Sequence, residues 1–292
     1  MIFNTIKTGL LLTTLSGLLM LLGGFIGGSS GIQIALFLSL IINGIAFFFS
    51  DRIVLSLYKA QVLNKDQYPW IYEIIEELTH KMHLPMPRLW IINTQVANAF
   101  ATGRNPKNAS IAITTGILSI LDEEELRGVL AHELAHIKNR DTLITTIAAT
   151  IASTIGHLAY MLRNAALWGS FNGNRRKENP FILIIVSILM PLAATLIQLA
   201  LSRSREYAAD ETGAHCSGSP LALASALQKL ENNTKYAHMD PENARHTSTA
   251  SLFIVHPFAG HSLSTLFATH PPTSSRIARL HQLSKKYFHK GL

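Results

Sequence analysis

The sequence predicts a mainly α integral membrane protein with a small β-sheet and about four transmembrane helices. Hydrophobic residues make up 48% of the 292 residues. Charged residues make up only 15%, against roughly 25% in an average soluble domain. Long uncharged stretches alternate with polar segments that show both helical and strand-like periodicity.

The N-terminal segment, residues 1–50, predicts a hairpin of two transmembrane spans. Residues 8–50 contain no charged side chain, and one span needs about 20 apolar residues. A Gly-Gly-Ser-Ser-Gly run at 27–31 divides the stretch into spans near 8–26 and 32–50. The first stretch could instead be a cleaved signal peptide. The second span follows it at once, which favours a retained anchor.

Residues 142–202 predict a second pair of hydrophobic helices, over 142–162 and 180–202. The loop between them, 163–179, carries four basic residues. If all four stretches cross the membrane, this basic loop conflicts with the positive-inside rule. The pair could therefore form a hairpin that does not fully cross, or be buried core helices. We keep four spans as the prediction.

The polar segments, 51–141 and 203–292, predict the two parts of one extramembrane domain. The first has a helical pattern followed by apolar, strand-like runs, and the second is mainly helical. The predicted helices are 68–82, 203–215, 220–232 and the stretch after Pro272, and the predicted strands are 88–93, 97–103 and 109–115.

Composition also restricts the kind of ligand. The only cysteine, Cys216, excludes an internal disulfide and a cysteine-type zinc site. The net charge is +7, but no dense Lys/Arg tract occurs. Nucleic acid is therefore not an expected partner, and the basic residues fit an anionic membrane surface.

The most informative motif is His132-Glu133-Leu134-Ala135-His136. Asp122 and Glu125 form a predicted capping box that starts a helix. No Gly or Pro occurs from 129 to 155, so we expect one continuous helix. Histidines four residues apart share a helix face and suit one zinc ion, with Glu133 as general base for its water. The alternative is that both histidines are ordinary surface residues.

A catalytic zinc needs a third protein ligand, and Glu206 is the candidate. Asp210 lies four residues later on the same face and could fix the tautomer of a ligand histidine. Alternatively, both carboxylates pair with Arg203 or Arg205 on a solvated helix. Glu211 competes with Glu206 by residue type but points about 100° away from Asp210.

Four blocks together resemble HtpX, a family of membrane zinc endopeptidases related to the CAAX prenyl proteases. The blocks are 98–103 with 112–116, 132–141, 202–210 and 269–280. The resemblance implies a gluzincin-type catalytic domain with Glu206 as the third ligand. It also implies a multi-pass protein of the bacterial inner membrane whose catalytic part faces the cytoplasm. Misfolded membrane proteins and unfolded polypeptides would be its substrates, and the lipid bilayer its surroundings, in a stress-response role.

Further site candidates follow from position. A strand beside the zinc cleft could bind substrate by main-chain hydrogen bonds. We predict 109–115 as that edge strand, although it could be an ordinary core strand. His270, Tyr207 and Arg205 are candidates for oxyanion stabilisation, and His270 could equally be a helix-start residue. The substrate-strand candidates are Asn98, Ala99, Phe100, Ile111 and Ile113.

Two functions other than proteolysis remain. A catalytically silent membrane scaffold or chaperone would share this fold but would not need Glu133 as a base. A transporter or channel predicts ionisable residues within the spans, and the predicted spans contain only His157. Substrate identity, cleavage preference and oligomeric state do not follow from the sequence.

Overall fold

The structure is a computed structural model that describes residues 2–151, 203–236, 254 and 271–288. The described part is mainly α-helical with one small sheet, as the sequence predicts. The predicted helix 180–202 and the basic loop 163–179 lie outside the described residues, as does most of the predicted helix 142–162. The count of four spans and the division of the chain into segments therefore remain predictions.

The first helix, α1 (Ile2–Leu57), reverses direction within the predicted hairpin. Gly28 adopts φ 58° and ψ −139°, which glycine tolerates best. The two arms approach so closely that a Cβ on Gly23 would lie 2.4 Å from the carbonyl oxygen of Gly31. Asn43 donates to Ser16 Oγ at 2.8 Å across the arms. Among the described helices, only the stretch Gly27–Leu57 is long and apolar enough to cross a membrane by length and composition.

The sheet follows α1. It contains β1 (Gln61–Val62), β2 (Arg88–Ile92), β3 (Ala99–Gly103) and β4 (Ala109–Thr114), with α2 (Pro69–Met82) between β1 and β2. The strand order is β1-β2-β4-β3, in which β2 and β4 are parallel and the other pairs are antiparallel.

Our prediction that 109–115 is an edge strand is wrong, because β4 pairs on both sides. Every side chain of β4 is buried, which is typical of a central strand. The edge near the predicted metal site is instead β3. Ile111 and Ile113 therefore cannot add a substrate strand through their main chains.

The two faces of the sheet contact different parts of the protein. One face packs against α2 and the motif helix, and the other packs against the last turns of α1 and the helix after the motif. Residues of the first face are Leu89, Ala99, Ala101, Ile111 and Ile113. Residues of the second face and its cover are Val54, Leu55, Trp90, Phe100, Ala112 and Ala149. The sheet thus joins the site to the apolar N-terminal hairpin.

The motif helix, α4 (Glu123–Asn139), follows the short α3 (Thr115–Ile120) and starts at the predicted capping box of Asp122 and Glu125. The expected continuous helix to 155 is wrong. Arg140 adopts a left-handed conformation, and its N–H and that of Asp141 bond back to the last turn of α4. A new helix, α5 (Thr142–Ile151 in the described part), then begins.

Three later helices surround α4. They are α6 (Arg203–Ser217), α7 (Pro220–Tyr236) and α8 (Thr273–Phe288). Two glycines permit close contact with α4. A Cβ on Gly213 would lie 2.8 Å from the backbone N of His132, and one on Gly128 would lie 3.1 Å from Leu223. Glycine at these positions sets the distance of α6 and α7 from the motif.

Candidate metal centre

Three side chains from two helices converge at the centre of the domain. His132 and His136 lie one turn apart on α4, with 3.2 Å between their Nε2 atoms. Glu206 from α6 lies opposite, with Oε2 3.7 Å from His132 Nε2 and Oε1 3.6 Å from His136 Nε2. The structure thus brings together the three predicted ligands, and they form a group suited to a metal ion.

The spacing of these atoms fits zinc. Ligand atoms at about 2.0–2.1 Å from a tetrahedral ion lie roughly 3.3 Å apart, close to the three separations here. The electrostatics also favour a cation. Burial lowers the pKa of His136, but the carboxylates of Glu206, Asp141 and Glu133 outweigh it and raise this pKa to about 9. A positive charge between these residues is therefore stabilised.

Asp210 and Arg276 form the support behind His132. Asp210 Oδ1 lies 3.0 Å from His132 Nδ1, within reach of a ligand histidine as its predicted role requires. The Arg276 guanidinium binds both oxygens of Asp210, at 2.8 and 2.7 Å, and donates to the carbonyl oxygen of Ile254 at 2.9 Å. Burial raises the pKa of Asp210, yet the Arg276 charge brings it down to about 2. Asp210 is thus held as an anion next to the His132 ring.

Asp141 has the corresponding place behind His136. Its Oδ2 lies 3.3 Å from His136 Nδ1, and its Oδ1 lies 3.5 Å from Arg205 Nη1. The break of the helix at Arg140 brings Asp141 back over the last turn of α4. Each histidine therefore has a buried carboxylate beside Nδ1, while the two Nε2 atoms face each other and Glu206. Arg276 Nη2 also lies 3.4 Å from His132 Nε2.

Glu133 follows His132 on α4 and faces the sheet. Its Oε2 accepts a hydrogen bond of 2.8 Å from the backbone N–H of Ala101 in β3. Burial is the main reason that the pKa of Glu133 is raised, although His132 and His136 act in the other direction. A carboxylate with a raised pKa beside the candidate metal ligands is suited to accept and return a proton.

The edge strand β3 presents main-chain groups to the same side. All five residues of β3 lie opposite residues of β4. Main-chain groups alternate in direction along an antiparallel strand, and the Ala101 N–H and the Gly103 carbonyl bond away from β4, so Ala99 shares their orientation. Glu133 accepts from the Ala101 N–H, and Thr142 Oγ1 donates to the Gly103 carbonyl.

Other predicted substrate residues have mainly structural contacts. The Asn98 side chain accepts from the backbone N–H of Ile254 at 3.2 Å, and its main chain pairs with Thr114. The ring of Phe100 packs against Tyr58 on the α1 side of the sheet, with 5.6 Å between the ring centroids.

Among the residues predicted as candidates for oxyanion stabilisation, the two that the structure describes contact other side chains. His270 lies outside the described residues. The Tyr207 ring lies under the Arg279 guanidinium, with 4.1 Å from Cζ to the ring centroid. Arg205 contacts Asp141, so it acts on a histidine's partner. The alternative that Glu206 and Asp210 are solvated is wrong, since they are 2% and 3% exposed.

Sequence reasoning missed three residues of this centre. Asp141 stood at the end of a recognised block, but its return to His136 depends on the break at Arg140. Arg276 was also within a block, and its role depends on the packing of α8 against α6. Gly213 had the weakest signal, a glycine inside a helical pattern, which often marks close backbone approach.

Comparison with known proteins agrees with this geometry. Residues 65–284, more than half of the chain, match the model of peptidase family M48. The chain belongs to peptidase family M48. Its family membership makes it a metallopeptidase, and the His132, His136 and Glu206 group is where such an enzyme would hold its metal.

Similar proteins extend over nearly the full length. The chain is 48% identical over 290 residues to a protease HtpX homolog of Persephonella marina, covering 97% of this chain and 98% of that protein. It is 48% identical over 279 residues to a protease HtpX homolog of Pyrococcus furiosus, covering 96% of each. This member of family M48 is therefore an HtpX-like protease. Among solved structures, S. mikatae Ste24p matches with TM-score 0.48 and 19% identity, over 96% of this chain and 66% of that one.

Proposed function

We propose that this M48 protease is a zinc-dependent endopeptidase that acts at the surface of a membrane, with Glu133 as general base. The observation that carries the proposal is the tetrahedral spacing of His132, His136 and Glu206 beside the buried Glu133 carboxylate. One zinc ion per chain would fill this centre. When bound, zinc supplies a Lewis acid that acidifies water and polarises a peptide carbonyl.

The protein groups have separate tasks in this reaction. Asp210 and Asp141 hold the Nδ1 protons of the ligand histidines and so direct Nε2 to the metal. Glu133 accepts the proton of the attacking water and passes it to the leaving amine. The Ala101 N–H keeps the Glu133 carboxylate against the strand, so little reorientation is needed during the reaction.

Substrate selection follows from the position of β3. An extended polypeptide can pair with the main-chain groups of Ala99 that point away from β4, next to the Ala101 N–H that holds Glu133. Main-chain pairing requires an extended conformation of the substrate but not particular side chains. Cleavage should therefore depend only loosely on the amino-acid sequence of the substrate. Unfolded polypeptides, and misfolded membrane proteins with exposed extended segments, are therefore the proposed substrates.

The membrane location is supported by the apolar hairpin and by α5. Side chains of Phe37, Leu40 and Ile45 on α1 are exposed, at 66%, 62% and 46%, as a lipid-facing helix requires. Only Arg140 and Asp141 separate α4 from the apolar α5. The site would thus lie just outside the bilayer. Resemblance to HtpX supports a bacterial inner membrane with the catalytic part in the cytoplasm, and a role in protein quality control.

The alternative is a catalytically silent scaffold or chaperone on the same fold. A scaffold would have no need for a buried carboxylate of raised pKa beside the metal ligands. Burying a carboxylate costs free energy, and a role as general base would account for that cost in an enzyme but not in a scaffold. We therefore favour the enzyme.

Metal removal tests the proposal. We expect a chelator to abolish cleavage of an unfolded protein such as casein by the detergent-purified chain, and added zinc to restore it. Calcium or magnesium at the same concentration is the control and should restore nothing, because the donor set of two imidazoles and one carboxylate suits zinc. Cleavage that a chelator leaves untouched would exclude the metal-dependent mechanism.

A further inference from the structure

A cavity separate from the metal centre lies where the last turns of α1 meet the sheet. Its volume is about 520 Å³, and no residue of the metal centre lines it. The polar residues of its wall are Asp51, Arg52, Ser56, Lys59 and Arg88, together with Trp90 of β2.

The cavity has an excess of positive charge. Arg88 Nη2 pairs with Asp51 Oδ2 at 2.9 Å, which neutralises one cation. Arg52 and Lys59 are exposed and have no ion-pair partner among the described residues. Two uncompensated cations at the mouth of a cavity attract an anion.

Trp90 adds an unsatisfied donor to this wall. Its Nε1 is buried and has no hydrogen-bond partner among the described residues. The indole nitrogen can only donate, and buried donors in folded proteins are nearly always paired. An oxygen-rich anion in the cavity would supply acceptors for the cations, and a rotation of the Trp90 ring would bring this donor to it.

The position of the cavity identifies the anion. Asp51 is the first charged residue after the uncharged stretch 8–50. Just before it, Phe48 and Phe49 are 55% and 46% exposed. Arg52 lies over the Phe49 ring, with 5.7 Å from Cζ to the centroid. A basic side chain over exposed apolar rings at the end of a span is typical of the membrane interface, where tryptophan is also enriched.

We propose that this cavity binds the headgroup of an anionic glycerophospholipid. Arg52 and Lys59 contact the phosphate oxygens, as basic pockets at the cytoplasmic ends of transmembrane helices do. The acyl chains lie along the exposed apolar side of α1, which leads directly to the cavity. A free phosphate would use the basic wall but not this apolar side, so the lipid is the occupant. The inference rests on the membrane location proposed above and is independent of the protease chemistry.

The test compares lipids on the full-length chain. The chain is first floated with vesicles of phosphatidylcholine alone and with vesicles that also contain phosphatidylglycerol. Native mass spectrometry in detergent then counts retained lipid of each type. The site variant is Arg52→Gln with Lys59→Gln, which leaves the Arg88–Asp51 pair in place. The matched control, Lys65→Gln with Lys107→Gln, removes the same charge from exposed positions elsewhere.

We expect both vesicle types to carry the wild-type chain. Phosphatidylglycerol should bind more tightly than phosphatidylcholine, by on the order of tenfold or more. The site variant should lose this preference and the matched control should keep it. Trp90→Phe, which keeps an aromatic ring but removes the donor, should weaken the preference for phosphatidylglycerol by a few-fold. Millimolar inorganic phosphate should not displace the lipid.

Four results would overturn the inference. Equal retention of the two lipids by the wild type would show that the cavity does not select charge. Equal losses in the site variant and the matched control would indicate a general charge effect. Displacement by inorganic phosphate would identify a site for a soluble anion. A chain that floats with neither vesicle would contradict the membrane location itself, whereas flotation without lipid preference would contradict the lipid site alone.

Discussion

The guanidinium of Arg276 binds the carboxylate of Asp210 at two points, with Nε 2.8 Å from Oδ2 and Nη2 2.7 Å from Oδ1. Both side chains are buried, and Asp210 in turn lies 3.0 Å from His132 Nδ1. The last helix of the domain thus supports the first ligand of the metal centre. This link explains why a block far from the histidine motif belongs to the same site.

We predict that Arg276→Lys weakens zinc binding by about 10–100-fold, the usual effect of changing the partner of a ligand histidine. Lysine keeps the charge but cannot make the two parallel bonds. Zinc affinity is measured by competition with a coloured chelator. Arg279→Lys is the control, because Arg279 is exposed and contacts Tyr207 instead. Unchanged zinc affinity in Arg276→Lys would contradict the role of the pair.

Substitutions of two carboxylates on α6 test whether Glu206 is the third ligand. Glu206→Gln should lower zinc affinity by more than the roughly 10–100-fold expected for a supporting contact, because it removes a ligand. Glu211→Gln changes the same charge five residues later, at an exposed position, and should leave zinc content unchanged. Metal analysis after dialysis distinguishes the two. Equal zinc content in both variants would remove Glu206 from the site.

The close approach of α6 to α4 predicts a packing effect at Gly213. Gly213→Ala places a Cβ 2.8 Å from the backbone N of His132, so the helices must separate. We expect a loss of about 1–3 kcal/mol in unfolding free energy, together with weaker zinc binding. Gly44→Ala is the matched control, since its Cβ would meet nothing within 4 Å. An equal decrease of the melting temperature in both variants would argue against this contact.

Glu125 at the start of α4 predicts a pH-dependent contribution to stability. Burial raises its pKa, but hydrogen bonds from Lys229 and Ser225 and from the Asp122 N–H bring the pKa below its usual value. The stabilisation is therefore present above the pKa of the unfolded state, about 4.3, and is lost as pH falls through the lower pKa of the folded state.

Glu125→Gln should accordingly reduce unfolding free energy at neutral pH by about 1–3 kcal/mol. The difference in unfolding free energy between this variant and the wild type should decrease below about pH 4. Urea unfolding at each pH measures the unfolding free energy of the variant and the wild type. Glu124→Gln, at an exposed position, is the control. A difference that is constant with pH would show that the charge of Glu125 contributes nothing.

The sequence predicted local structure well where one physical signal dominated. The capping box, the motif helix start, α2 and the three main strands all carry strong periodicity or turn signals. Helical spacing paired His132 with His136, and the need of zinc for a third protein ligand made Glu206 a candidate. The resemblance to HtpX then implied Glu206 as that ligand.

The errors and omissions have a common cause, because they depend on contacts between distant segments. Strand order is set by pairing across the sheet, so β4 could not be distinguished from an edge strand by its own pattern. The helix end at Arg140 has no Gly or Pro signal, since a left-handed arginine closes it. The roles of Arg276 and Gly213 exist only after α6 and α8 pack on α4.

The most direct test measures zinc content and proteolysis in parallel, on the detergent-purified wild-type chain and on Glu133→Gln. Glu133 contacts the Ala101 N–H and is not one of the three grouped ligands. We therefore predict about one zinc per chain in both proteins, with cleavage of casein only in the wild type. Zinc in both with equal cleavage would contradict Glu133 as the base, and no zinc in either would contradict the metal centre itself.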